Sequence, residues 1–202
     1  MLPPKLPLHK ILKIPKKGAF VKESILLSIG FLWGNTTVFQ ILNPMGIAYL
    51  SAFLIQGKHF YQIAAAVASG ILWSSCESKQ KYILCVIFCL AFHWGASSKI
   101  KYPSTLLKAS FGGGATILSG FLFSAIRGGS YFYGGIAAVE GMAVFLLTYI
   151  AEKGILLLQR GLKRHIMTSE EIMSLALLLG GAVAGSADMK IPFVQIPIMA
   201  IL

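Results

Sequence analysis

Long apolar stretches separated by short polar or basic intervals run along nearly the whole chain. A helix that crosses the hydrocarbon of a bilayer needs about 20 predominantly apolar residues, each adding about 1.5 Å of rise. By that measure the pattern predicts spans at about 24–42, 106–126 and 131–150, with shorter ones at 60–75, 82–97 and 172–187. Asn43-Pro44 is a tight break between the first span and a second apolar run at 45–56. That run is short for a crossing unless Asn43 and Pro44 themselves lie at membrane depth. A polar, partly amphipathic stretch at 151–171 separates the sixth span from the seventh, and an eighth begins near Ile191 and is still apolar at Leu202. The expectation is an all-α, polytopic transmembrane bundle of about eight spans with the last one truncated, a fragment of a longer protein.

Composition points the same way. Of 202 residues, 56% are hydrophobic and only 12% charged, about half the charged share of a soluble domain. The net charge of +11 invites a nucleic-acid reading, but the charges bunch beside apolar runs. Lys5, Lys10, Lys13, Lys16, Lys17 and Lys22 precede the first span, and Arg160, Lys163 and Arg164 share one polar interval. Basic clusters so placed orient a membrane protein and attract it to anionic headgroups, and no zinc or RNA-binding pattern accompanies them. Counted on alternate sides of eight spans, fourteen lysines and arginines fall with the N-terminus and four opposite, which predicts a cytoplasmic N-terminus. The chain then divides into a basic cytoplasmic tail at 1–23 and a multi-span membrane domain at 24–202, the interval at about 151–171 being a polar cytoplasmic loop. Prolines 3, 4, 7 and 15 break the tail, and no small-residue cleavage site follows the first span, so it does not read as a signal peptide.

Few side chains carry candidate chemistry. Glu140 is the one carboxylate deep inside an apolar span, where an ionised group costs roughly 2.5–3.5 kcal/mol on an insertion scale. It predicts an interhelical contact or a proton site, with Lys108 or Arg127 as partner, or a neutral acid hydrogen-bonded across the bundle. Cys85, Cys89 and His93 recur at intervals of four on one helix face, but three groups stacked a turn apart cannot converge on one ion without a partner helix. Three cysteines, counting Cys76, make no disulfide framework. Gly112, Gly113, Gly114 and Gly120 favour close helix approach, and Gly181-Ala-Val-Ala-Gly185 is a small-xxx-small repeat that packs helices within a bundle or between copies. Thr168 and Glu171 have the spacing of a capping box. Trp33, Trp73 and Trp94 sit toward span ends, where indole favours the interface. No Ser/His/Asp arrangement or paired carboxylates occur, and no catalytic residue, cofactor or metal site is expected in this chain.

Three stretches resemble the membrane region of the stage II sporulation protein E family of endospore-forming bacteria: GFLWGNTTVFQILNPMGIAYLSAF at 30–53, YFYGGIAAVEGMAVFLLTYI at 131–150, and SEEIMSLALLLGGAVAGSADMKI at 169–191. Together they cover about a third of the chain, and none is a catalytic motif. The family commonly has Gly-Arg-Ala where this chain reads Gly34-Asn35-Thr36, so any role of a basic group there does not carry over. The resemblance implies about ten spans followed by a cytoplasmic regulatory segment and a manganese- or magnesium-dependent serine/threonine phosphatase of the PP2C type. No metal-binding aspartate motif of such an enzyme is among these residues, Asp188 being the only aspartate. What the resemblance implies here is an anchoring and oligomerising module in the bilayer, with septum proteins as partners and no nucleic acid. The rival expectations are a small transporter or channel, and a free-standing membrane scaffold.

Overall fold

The computed structural model describes residues 17–39, 41–55, 59–96, 100, 103–126, 131–160, 167–187 and 189. The described residues form seven helices: α1 (Lys17–Asn35), α2 (Pro44–Ala52), α3 (Phe60–Trp73), α4 (Lys79–Ala96), α5 (Thr105–Ile126), α6 (Tyr131–Arg160) and α7 (Ser169–Ala187). Among them the only β feature is an isolated bridge between Val38 and Leu42.

The all-α expectation holds among the described residues, and the count of about eight spans finds no support there. Among the described residues three helices are long and apolar enough to cross a membrane: α5, α6 over Gly134–Gln159, and α7. The stretch expected to be one span at 24–42 is helical only as far as Asn35. There Asn35, Thr36 and Thr37 favour side-chain-to-backbone bonds and β-branched stiffness over further helix. The chain folds back through a tight turn with Phe39 at φ 54°, and Asn43 opens α2 by accepting a hydrogen bond from the Gly46 amide at 3.2 Å, with Pro44 in the first turn. At nine residues α2 rises only about 13 Å, too little to span. It is instead enclosed by its neighbours, and Ile47, Leu50 and Leu54 have no exposed surface. Backbone that ends at membrane depth is tolerated only inside such a protein shell.

The polar stretch expected as a loop from 151 begins as helix, because α6 continues through Arg160 for thirty residues in all. Apart from Gly154, the residues from Ala151 to Arg160 include strong helix formers such as Glu152, Lys153, Leu156 and Gln159. α7 opens with the expected box: the Thr168 amide donates to Glu171 Oε2 at 2.9 Å, and the Glu171 amide to Thr168 Oγ1 at 3.3 Å. The eighth span at 191–202, residues 1–16 of the basic tail, Arg127 and Asp188 lie outside the described residues. Helix directions follow from the contacts. α5 and α6 are antiparallel, with Lys108 beside Glu152 and Gly120 beside Ala137, whereas α1 and α7 run parallel, with Trp33 at Leu178 and Asn35 at Gly185. Outward faces carry large apolar side chains such as Ile87, Leu118, Phe121, Val139 and Leu146, as a lipid-facing surface requires.

Candidate functional site

The bundle's interior charges gather on α6. Glu140 lies nine residues into that helix, about 14 Å from its start, and is 1% exposed. Its two carboxylate oxygens take different donors from α4: Lys81 Nζ reaches Oε2 and the Tyr82 hydroxyl donates to Oε1. Tyr82 in turn accepts a hydrogen bond from the Asn43 amide at 2.7 Å, tying the cap of α2 into the same network. An uncompensated carboxylate here would be costly; one cation and one phenol give each oxygen a donor. The partner is therefore neither Lys108, which is engaged elsewhere, nor Arg127, which lies outside the described residues.

Lys108 instead meets Glu152, two turns from the end of α6, with Nζ donating to Oε1 at 2.5 Å; the two residues are 3% and 6% exposed. Twelve residues of α6, about 18 Å of rise, separate the two glutamates. Steps of four along a helix drift by about 40° each, so Glu140 faces α4 while Glu152 faces α5. Sequence reasoning missed this second pair. Glu152 stands in a stretch that reads as polar loop, and its signal was the run of helix formers around it, interrupted only by Gly154 before Gly161. Lys81 was missed too, counted as a loop charge within Ser78-Lys79-Gln80-Lys81, although the structure buries it to 7%.

The glycines of the small-xxx-small repeat lie against α1. A Cβ on Gly181 would sit 2.8 Å from the Trp33 indole, and one on Gly185 would sit 1.9 Å from the Leu32 carbonyl. This approach lets α1 side chains reach carbonyls of α7: Trp33 Nε1 donates to Leu178 O at 2.8 Å, Thr36 Oγ1 to Gly181 O at 3.1 Å and Asn35 Nδ2 to Gly185 O at 2.7 Å. Of the three tryptophans expected at the interface, Trp33 is therefore buried, at 1% exposed, whereas Trp73 and Trp94 are exposed at 64% and 80%. Gly113 and Gly141 similarly bring α5 and α6 together, each facing the other's carbonyl.

Cys85, Cys89 and His93 all point inward but part company there. Cys85 Sγ meets Ser119 Oγ at 3.3 Å and Thr116 Oγ1 at 3.6 Å, whereas His93 Nδ1 accepts from the Ile55 amide at 3.3 Å and its ring stacks on Phe60. Among the described residues no three His, Cys, Asp or Glu side chains stand together as metal ligands. Each interior carboxylate already faces a lysine, a donor set unsuited to the hard divalent ions of a phosphatase centre.

Apolar outer faces, span-length helices and charges paired in the interior define a multi-span helical membrane domain. The family model for the SpoIIE N-terminal domain matches residues 7–200, and the chain belongs to that family. No curated protein and no solved structure matches the chain.

Proposed function

We propose that this chain is the membrane-anchoring and self-associating module of a serine/threonine phosphatase that works at the asymmetric division septum of a sporulating bacterium. The observation that carries the reading is the family match over residues 7–200, coinciding with a helical bundle that has three span-length apolar helices. In this reading the bundle holds a cytoplasmic PP2C-type domain, encoded beyond these residues, at the septum. There that domain, with its own manganese or magnesium, dephosphorylates an anti-anti-sigma factor and promotes release of a compartment-specific sigma factor. The basic N-terminal segment lies in the cytoplasm, and the partners are the bilayer, further copies of the chain and division proteins. Gly181 and Gly185 are occupied within the bundle against α1, so self-association uses other surfaces.

The test pairs two readings of the same locus. The coding DNA past Leu202 should continue in frame into a PP2C-type domain, and deleting the locus should block sporulation. A stop codon after Leu202 together with normal sporulation would defeat the proposal and favour a free-standing scaffold. The transporter reading draws on one observation, the charges paired inside the bundle.

A further inference from the structure

The lipid-facing flanks of the bundle differ in length. α3 has 14 residues, a rise of about 21 Å, whereas α5 has 22, about 33 Å, and the hydrocarbon of a bilayer is about 30 Å thick. Polar groups mark both ends of α3. Where it begins, His59 meets Glu23 of α1 at 3.7 Å, both side chains about half exposed. Where it ends, the Lys79 ammonium donates to the Leu72 carbonyl at 2.9 Å, with Ser75, Glu77 and Gln80 exposed nearby. The outer face between these levels carries Tyr61, Ala65, Leu72 and Trp73. α4 repeats the pattern on the same flank, its outer face running from Gln80 through Ile87 to Trp94, again about 21 Å. Contacts between helices set the heights. Phe60 stacks on His93 at 4.1 Å and Phe92 on Phe111 at 3.9 Å, so the start of α3 is level with Phe111 on α5. At the other end Lys79 reaches Leu72, and Lys81 Cδ lies 4.0 Å from where a Gly120 Cβ would sit, so the end of α3 is level with Gly120. α5 runs past both levels, five residues to Leu106 and six to Ile126, about 8 and 9 Å. These overhangs expose Leu106, Leu107, Phe121, Leu122 and Ile126, while Lys108, the one charged residue of α5, is buried. Because the α3 flank is inset at both ends, tilting the bundle would deepen one mismatch as it relieved the other.

We propose that the α3–α4 flank fits a hydrocarbon layer of only about 21 Å, so that the bilayer thins against this face and keeps its ordinary thickness along α5 and α6. The partner of the face is lipid with shortened or disordered acyl chains. Tyr61, Trp73 and Trp94 are exposed toward its two ends, where amphipathic rings settle at the level of the headgroups. The flanking charges are engaged where they stand, His59 with Glu23 and Lys79 with a carbonyl, so they hold these levels rather than reach outward past them. A belt stepped in this way lowers the cost of residing where a bilayer is already thin or deformed.

The experiment reads depth on both flanks of the full chain in dioleoylphosphatidylcholine vesicles, with Cys76, Cys85 and Cys89 changed to serine. Nitroxides are attached at Gln62→Cys and Leu72→Cys, near the two ends of α3, and at closely matched heights on α5, at Ser110→Cys and Phe121→Cys. All four positions are exposed, so the labels leave the packing intact. Collision with a water-soluble nickel chelate should be several-fold greater at Gln62 and Leu72 than at Ser110 and Phe121, which oxygen dissolved in the hydrocarbon should reach better. The unmodified chain gives an independent reading: emission from Trp73 and Trp94 should be quenched more by lipids brominated near the headgroup than by lipids brominated near the chain end. Equal chelate accessibility on the two flanks, or the opposite order of quenching, would overturn the proposal. So would a step at one end that reverses at the other, the mark of a rigid tilt in a flat bilayer. Shielding of Gln62 and Leu72 from both chelate and oxygen would overturn it too, since a second copy would then cover the face.

Discussion

At the residue scale, the molecule's character is set by two lysine–glutamate pairs that most of the chain's composition would not lead one to expect. Breaking a buried pair leaves a lone charge inside, whereas replacing both members with apolar residues of similar size removes the desolvation cost along with the attraction. Glu140→Ala should therefore destabilise the bundle by about 3–5 kcal/mol, while the double change Lys81→Met with Glu140→Leu should be near neutral or stabilising. Thermal unfolding of the detergent-solubilised protein, followed by helical circular dichroism, checks both. A double variant as unstable as the single one would mean that Glu140 supports the fold through something other than Lys81 and Tyr82. Glu140 was legible in the sequence because a carboxylate amid GGIAAVEGMAVFLL cannot be left in lipid. Its partner was not. Lys81 lies beside Lys79 and Gln80 at the start of α4, and nothing local distinguishes a lysine that turns inward there from one that stays in water.

At the element scale, the apolar periodicity placed α3, α4, α5 and α7 to within a few residues, because each begins and ends at abrupt changes between polar and apolar composition. It failed at 24–42 and at 150, and for opposite reasons. In the first case an apolar run contains a helix end, since Thr36 and Thr37 with the following Val38 are apolar enough to continue a hydropathy pattern yet poor at continuing a helix. In the second case a helix continues into polar sequence, since Glu152 is neutralised by a lysine from another helix. The α1–α7 contact gives a prediction at this scale. Gly185→Leu would drive a side chain into the Leu32 carbonyl, separate the helices and break the hydrogen bonds from Asn35 and Thr36. We expect a loss of at least about 1–3 kcal/mol, the usual cost of overpacking, against little change for Gly180→Leu, whose Cβ position is open. The same unfolding assay ranks the two; equal effects would mean that α7 does not approach α1 through Gly185.

At the scale of the whole molecule, the membrane class was readable from composition alone, whereas the number of crossings was not, because a short buried helix such as α2 has the same hydropathy as half a span. The helix directions add a topological prediction. The start of α1 and the end of α6 lie at the same end of the bundle, where Lys22 Nζ donates to the Gln159 carbonyl at 2.9 Å, and Lys153 pairs with Glu170 at the start of α7. Single cysteines at Lys22 and Glu170, with Cys76, Cys85 and Cys89 changed to serine, should thus label from one side of the membrane, and the basic N-terminal segment predicts the cytoplasmic side. Ser78→Cys, just ahead of α4, should label from the other side; all three labelling together would contradict the arrangement.

The anchor reading itself is tested most directly by imaging. The native protein, tagged fluorescently at its own locus, should gather as a band at the asymmetric septum when the cells begin to sporulate. An even distribution around the cell membrane throughout sporulation would contradict it.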